Sequence, residues 1–253
     1  MEILIKAAIF VPPLLIAMVL HEIAHGYVAW RLGDPTAKDR NRINLNPLVH
    51  IDPIWTLLVP AGLIASGSPV VIGAAKPVPV NPRYFKDPRR GMLWVAIAGP
   101  IVNFVLAGIS FGLYALLASQ IDIESLLAGQ VDIGSLLAGQ VDIGTLLTSL
   151  DIASLTGLLI MFLVISSILI NIVLALFNLI PIPPLDGSRI LVGILPPKLG
   201  ALVLKLERFG FILIVLAIYL GLLKYLNPLY QFVLQAIASI DPKPLIIFLN
   251  WIQ

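Results

Sequence analysis

Long apolar runs separated by short polar segments cover most of this 253-residue chain. Runs with few charged residues lie at about residues 3–30, 91–117, 155–180 and 209–223. Most of them reach the roughly 20 residues that a helix needs to cross about 30 Å of hydrocarbon. The tail at 229–252 is also apolar, but "DPKP" interrupts it, so it either crosses the membrane or lies on it. The pattern predicts an all-α polytopic membrane protein with about five to six transmembrane helices.

Residues 54–72 form an apolar stretch of a different kind, because prolines and glycines interrupt it. The flanking segments, 31–52 and 76–90, carry four and five basic residues, whereas 119–153 carries five acids and no Lys or Arg. The positive-inside rule places the two basic segments in the cytosol and the acidic segment outside. Since both flanks of 54–72 then lie on the same side, we predict that this stretch is re-entrant.

Composition supports a membrane protein and narrows its chemistry. Hydrophobic residues make up 59% of the chain and charged residues only 12%, whereas a soluble domain is about half apolar and a quarter charged. A net charge of +2 argues against a nucleic-acid partner. The chain has no cysteine, which excludes disulfides and thiolate metal sites.

A ten-residue repeat occupies the acidic segment, with the units "IDIESLLAGQ", "VDIGSLLAGQ" and "VDIGTLLTSL" at residues 121–150. Each unit is predicted to be a short capped helical turn. Asp122 and Asp132 can be N-caps, and Gly129 and Gly139 can end the turns. The repeat is either a duplicated surface loop or a flap on the membrane surface that limits lateral access.

Three ionisable residues lie in the first apolar run, within "VLHEIAHGYVAW". His21 and His25 are four residues apart, so on a helix they share a face and can reach one metal ion. Glu22 lies next to His21 and can act as a general base on water. The alternative is a histidine pair that is hydrogen-bonded within the bundle. Ionisable groups in an apolar helix are costly unless they are partnered, which favours the metal site.

A catalytic metal needs a third protein ligand, and the sequence offers two candidates. Asp186 lies in "NLIPIPPLDG", where three prolines open the backbone at the end of an apolar run. The length of the first run places His21 close to the cytosolic side, where Asp186 is also expected. Asp186 can alternatively be a helix N-cap. His50, in a proline-flanked loop, is a ligand, a substrate or gate contact, or a structural loop residue.

Five motifs together resemble the site-2 protease family of intramembrane zinc metalloproteases. They are "HEIAH", "LNPLVHIDP", "AKPVPVNPRYFKDPRRG", "AGPIVN" and "NLIPIPPLDG". The resemblance runs from the first span to about Leu195 and is closest to the small branch that lacks PDZ and CBS domains. The decapeptide repeat is not part of the family core, and Ser188 stands where many members have glycine.

The resemblance implies one zinc ion per chain, held by His21, His25 and Asp186, with Glu22 as the general base. It also implies that Asn103 lies near the active site. There Asn103 either donates a hydrogen bond to the oxyanion or makes a polar contact between helices.

Further implications concern the substrate. Residues 54–80 are expected to form short strands or loops that clamp an unfolded segment, and His50 and Asn178 are candidates for substrate or gate contacts. The expected substrate is a transmembrane helix of another membrane protein, which must unwind before it is cut. Membrane lipid is the other expected partner, and a homo-oligomer is compatible with the sequence.

The sequence therefore predicts a single integral membrane metalloprotease domain over residues 1–253. Its core is 1–195, with the extracytosolic insertion at 121–150 and C-terminal helices at 208–253. We expect a multi-pass protein of the cell membrane whose active site lies towards the cytosol. The alternatives are a metal-ion transporter that uses the same His and Asp residues, and an inactive scaffold.

Overall fold

The computed structural model describes residues 2–65, 73–140 and 149–252, and every regular element within these ranges is helical. The all-α class predicted from the sequence is confirmed. Shorter 3₁₀ and π turns, among them Pro47–His50 and Pro53–Leu58, connect the helices. In chain order the α-helices are α1 (Glu2–Arg31), α2 (Thr36–Asp39), α3 (Val59–Ala65), α4 (Pro88–Gln120), α5 (Ile123–Leu127), α6 (Ile133–Leu137), α7 (Ile152–Leu179), α8 (Asp186–Ile194), α9 (Pro197–Leu206), α10 (Gly210–Tyr219), α11 (Asn227–Ala238) and α12 (Pro242–Ile252).

Three helices are long and apolar enough to cross a membrane, namely Leu4–Arg31, Pro88–Gln120 and Ile152–Leu179. They match three of the apolar runs seen in the sequence. The pair Ile212–Tyr219 and Lys224–Ala238 raises the number to four if it forms one broken span. The expected five to six spans are not confirmed by the described residues, because α10, α11 and α12 have only 10, 12 and 11 residues each.

The chain divides into two compact units, of which the first comprises Met1–Leu14, Phe104–Val173 and Leu223–Gln253. Its core is aromatic. Phe162 of α7 packs against Phe248 of α12 with their ring centroids 5.3 Å apart. Large buried aromatic side chains of this kind contribute much of the packing energy of a core. The C-terminal helix α12 is therefore a core element of this unit.

The decapeptide repeat lies in the same unit and forms α5 and α6. Asp122 and Asp132 accept hydrogen bonds from backbone N–H groups at the starts of these helices, which confirms them as N-caps. Gly129 and Gly139 have positive φ angles of 74° and 70°, as expected of residues that end a helix. Leu127 is fully buried in the aromatic core, so the described part of the repeat is more than a surface loop.

The second unit comprises Leu15–Asn103 and Leu174–Leu222. Arg89, near the start of α4, reaches the C-terminal end of α8. Its Nε donates to the carbonyl oxygen of Val192 at 3.0 Å, and its Nη2 donates to that of Leu195. A cation at this end of a helix satisfies free carbonyls and favours the helix dipole. Arg89 thus fixes α8 to α4.

The stretch that was predicted to be re-entrant begins in the π turn Pro53–Leu58 and continues in α3. Residues 66–72 lie outside the described residues. The chain then returns to its starting point, since the N–H of Ala74 donates to the carbonyl oxygen of Trp55 at 3.1 Å. The short strands expected here are not confirmed in the described part. Alternating prolines at 77 and 79 lack the N–H groups that a strand ladder requires.

Candidate metal centre

Helix α1 carries the two histidines on one face, as their spacing predicts. His21 and His25 have relative exposures of 7% and 8%, and their Nε2 atoms lie 3.0 Å apart. The helix is apolar around them, so few neighbours compete for these nitrogens. Two converging imidazole nitrogens form half of a tetrahedral metal site.

Asp186 reaches the same point from the first position of α8. The N-cap of this helix is Leu185, without a side-chain cap, so the N-cap alternative for Asp186 is not what the structure shows. Gly187 allows the tight turn, because a Cβ at this position would overlap the carbonyl oxygens of Leu179 and Ile180. The broken backbone therefore turns the Asp186 carboxylate inward.

The three side chains form a cluster suited to a metal ion. Asp186 Oδ2 lies 3.1 Å from His21 Nε2 and 3.3 Å from His25 Nε2. One ligand atom from each residue lies within 4.8 Å of the other two. Three buried acceptor atoms this close repel one another unless a cation or a proton lies between them. The set of two imidazoles and one carboxylate leaves a fourth position open, as in catalytic zinc sites.

Helix α4 orients both imidazoles through their other ring nitrogens. His21 Nδ1 lies 2.6 Å from Asn103 Oδ1, and His25 Nδ1 lies 2.7 Å from the carbonyl oxygen of Val95. Both partners are acceptors, so each ring donates from Nδ1 and presents the lone pair of Nε2. Such contacts fix the tautomer and the orientation of metal-binding histidines.

Gly99 of α4 lies directly against the two rings. A Cβ at this position would lie 2.5 Å from His21 Cε1 and 2.6 Å from the Nε2 of both His21 and His25. Only glycine therefore leaves room for the imidazoles beside α4.

Glu22 is half-buried next to the cluster. Its Oε2 accepts a hydrogen bond of 2.8 Å from the backbone N–H of Val78. No further partner of Glu22 is recorded among the described residues, so the second carboxylate oxygen can accept a proton. This is the arrangement that a general base requires.

The charge of Asp186 depends on its surroundings. Burial on its own raises the pKa of this carboxyl, but the neighbouring His21 and His25 outweigh burial and hold the pKa well below its ordinary value. Asp186 is therefore an anion at neutral pH. An ionised carboxylate is the form that binds metal.

The other predicted residues lie outside the cluster. His50 is fully buried in the turn Pro47–His50, where its Nε2 lies 2.8 Å from the carbonyl oxygen of Asn44. Asn178 donates to the carbonyl oxygen of Leu174, in its own helix, at 3.0 Å. Neither residue belongs to the group of potential metal ligands among the described residues.

Several participants escaped the sequence analysis. The carbonyl of Val95 and the N–H of Val78 are backbone groups and leave no trace in residue type. Gly99 had a signal, since it is a glycine inside an apolar helix pattern and lies in "AGPIVN". That signal alone does not show which side chain fills the space.

Comparisons with known proteins agree with this geometry. The model of Peptidase family M50 matches residues 9–220. Two relatives are named "Putative zinc metalloprotease". YwhC of Bacillus subtilis is 37% identical over 221 residues, which cover 87% of this chain and 81% of the relative. Rip2 of Mycobacterium tuberculosis is 35% identical over 107 residues, or 42% of this chain and 40% of the relative.

A third relative is "Zinc metalloprotease MJ0392" of Methanocaldococcus jannaschii. It is 29% identical over 189 residues, which cover 75% of this chain and 35% of the relative. No solved structure gives a significant match to the chain.

Proposed function

This chain belongs to Peptidase family M50, and on that basis we propose that it is an intramembrane zinc metalloprotease. We propose that it hydrolyses peptide bonds within or near transmembrane helices of other membrane proteins. The observation that carries the proposal is the convergence of His21, His25 and Asp186 with Glu22 beside them.

The buried cluster fits a zinc ion. Two lone pairs of imidazoles and one carboxylate oxygen face a common point, and Asp186 Oδ2 accepts no hydrogen bond from the described residues. His21, His25 and Asp186 would hold the ion, with Asn103 and Val95 orienting the two rings. When bound, zinc polarises the scissile carbonyl and lowers the pKa of water.

The residues of the chain then divide the proton transfers among themselves. Glu22 accepts a proton from the attacking water, whose oxygen bonds to the carbonyl carbon. The same carboxylic acid then gives its proton to the leaving nitrogen as the C–N bond breaks. General acid–base catalysis of this kind contributes about 10²- to 10⁴-fold in rate. The contact between Asn103 and His21 supports an orienting role, and the oxyanion role of Asn103 stays a prediction.

The substrate class follows from the surroundings of the site. His21 and Glu22 lie within the apolar span Leu4–Arg31, so the peptide bond must be presented at membrane depth. A transmembrane helix satisfies its own amides and must be unwound before attack. We propose that His50 and Asn178 lie near the path of the substrate, and that the active site opens towards the cytosol at the cell membrane.

The proposed topology keeps the re-entrant stretch after the first span. The contact between Ala74 and Trp55 supports it, because the two ends of the stretch lie side by side. Additional crossings by the C-terminal helices would complete the five to six spans.

One experiment tests the proposed function. The purified protein in lipid vesicles is offered a panel of transmembrane segments, with Glu22→Gln as the matched variant. We expect cleavage by the wild type, a loss of about 10²-fold or more in the variant, and equal zinc contents. A metal transporter would keep its activity in Glu22→Gln, and equal cleavage by both proteins would exclude Glu22 as the base. The family match does not favour the transporter.

A further inference from the structure

A proline-rich segment with the sequence "KPVPVN", residues 76–81, is fixed at both ends beside the metal centre; we call it the strap. At one end, Nη2 of the buried Arg42 donates to the carbonyl oxygen of Lys76 at 2.6 Å. At the other end, the N–H of Asn81 donates to Oδ2 of the fully buried Asp34 at 2.6 Å. Hydrogen bonds to ionised groups are among the stronger ones, so both ends are well anchored.

The middle of the strap contacts Glu22 directly. The N–H of Val78 donates to Glu22 Oε2 at 2.8 Å. Gly26, one turn further along α1, makes this approach possible because a Cβ there would lie only 3.0 Å from Cγ1 of Val78. The residue after the HEIAH motif is therefore small for a reason that concerns the strap.

The prolines prepare the strap for these contacts. Lys76, Val78 and Asn81 each precede a proline, and a residue in that position is restricted to extended backbone. These are the same three residues whose N–H groups are bonded, the first of them to the carbonyl oxygen of His50 at 2.8 Å. The conformation that aims the N–H of Val78 at Glu22 is thus largely present before the contact forms.

A general base works only from a defined position, since it must lie within hydrogen-bond reach of the proton it takes. A free glutamate side chain samples many rotamers, and a fixed Oε2 leaves Oε1 in one place. We propose that the strap is a positioning element, which holds Oε2 of Glu22 through the N–H of Val78 and thereby directs Oε1 to the reacting water. The inference rests on the proposed function, because it gives Glu22 the role of the base.

The main test removes the single N–H group. Val78→Pro eliminates the donor and suits the extended backbone, and Val80→Pro is the matched control within the strap. We expect kcat to fall roughly 10- to 100-fold in Val78→Pro, as for the loss of one hydrogen bond to a charged group. KM and zinc content should stay at wild-type values, and Val80→Pro should stay within about twofold of the wild type.

A second variant weakens the anchor without touching the strap. Asp34→Asn keeps the size of the side chain but turns one acceptor oxygen into a donor that faces the N–H of Asn81. The same fall in kcat at constant KM and zinc content is expected, with the exposed Asp39→Asn as its control. Unchanged or increased kcat in Val78→Pro overturns the proposal. So does a loss of zinc that parallels the loss of activity, because the strap would then be merely structural.

A measurement without turnover separates this inference from the proposed function. Hydrogen exchange at the Val78 amide should become faster in Glu22→Ala than in the wild type, and should not change in Asp39→Asn. Equal exchange in Glu22→Ala and the wild type contradicts the contact, even if the enzyme cleaves its substrates. Absence of cleavage by the wild type would instead refute the protease function.

Discussion

Gly99→Ala offers the sharpest test of the metal centre, because it adds one methyl group against both histidines. The new Cβ would lie 2.5–2.6 Å from three ring atoms, whereas ordinary contact begins at 3.4 Å. The rings must therefore retreat by roughly 0.8 Å, while metal–ligand distances tolerate only about 0.2 Å. The rings cannot turn freely, since Asn103 and Val95 hold their Nδ1 atoms.

The expected loss follows from this displacement. Removing one partner that orients a ligand costs about 10- to 100-fold in metal affinity. Gly99→Ala disturbs two ligands at once, so we expect zinc affinity to fall by about 100-fold or more. The assay is competition with a chelator of known affinity in detergent solution, followed by peptide cleavage at saturating zinc.

Gly108→Ala is the matched control on the same helix, because nothing lies within 4 Å of a Cβ at that position. Both substitutions favour the helix by about 1 kcal/mol, so a difference between them reports on the site and not on the helix. Wild-type zinc affinity in Gly99→Ala would show that the histidines do not occupy the described positions when metal is bound.

Three further predictions concern the ligands, the topology and the repeat. Asp186→Ala should lose zinc in metal analysis while His50→Ala keeps it, and the opposite result would exchange their roles. Single cysteines at Arg40 and Lys86, in a chain that has none, should react with an impermeant thiol reagent from the same side of the membrane; labelling from opposite sides would rule out the re-entrant stretch. Leu127→Ala should lower the free energy of unfolding by about 2–5 kcal/mol, as measured by denaturation in detergent, because the side chain is fully buried. An unchanged midpoint would mean that the repeat is a dispensable surface loop.

The sequence predicted the parts of the centre that depend on local periodicity. The spacing of His21 and His25 gave their common face, and the prolines before Asp186 gave the open backbone that turns it inward. The N-caps of the repeat, Asp122 and Asp132, were also predicted, because capping depends on neighbours within three residues.

Contacts between distant segments could not be predicted in the same way. The bond between Glu22 and Val78 joins an apolar helix to a proline-rich loop, and neither partner shows a complementary residue type. The number of spans failed for another reason. The apolar residues near the C-terminus are divided into helices too short to cross by themselves, and they include core residues such as Phe248 and Trp251.

The order in which the chain is synthesised gives the long separation of the ligands a consequence for biogenesis. His21 and His25 enter the membrane early, whereas Asp186 follows about 10 to 30 s later at ordinary rates of translation. Asn103 and Val95 emerge well before Asp186, so they can satisfy the Nδ1 donors of both rings inside the lipid during this interval. Metal loading must wait until the ribosome has passed Asp186. The ion therefore meets a nascent protein whose imidazoles are already turned towards each other.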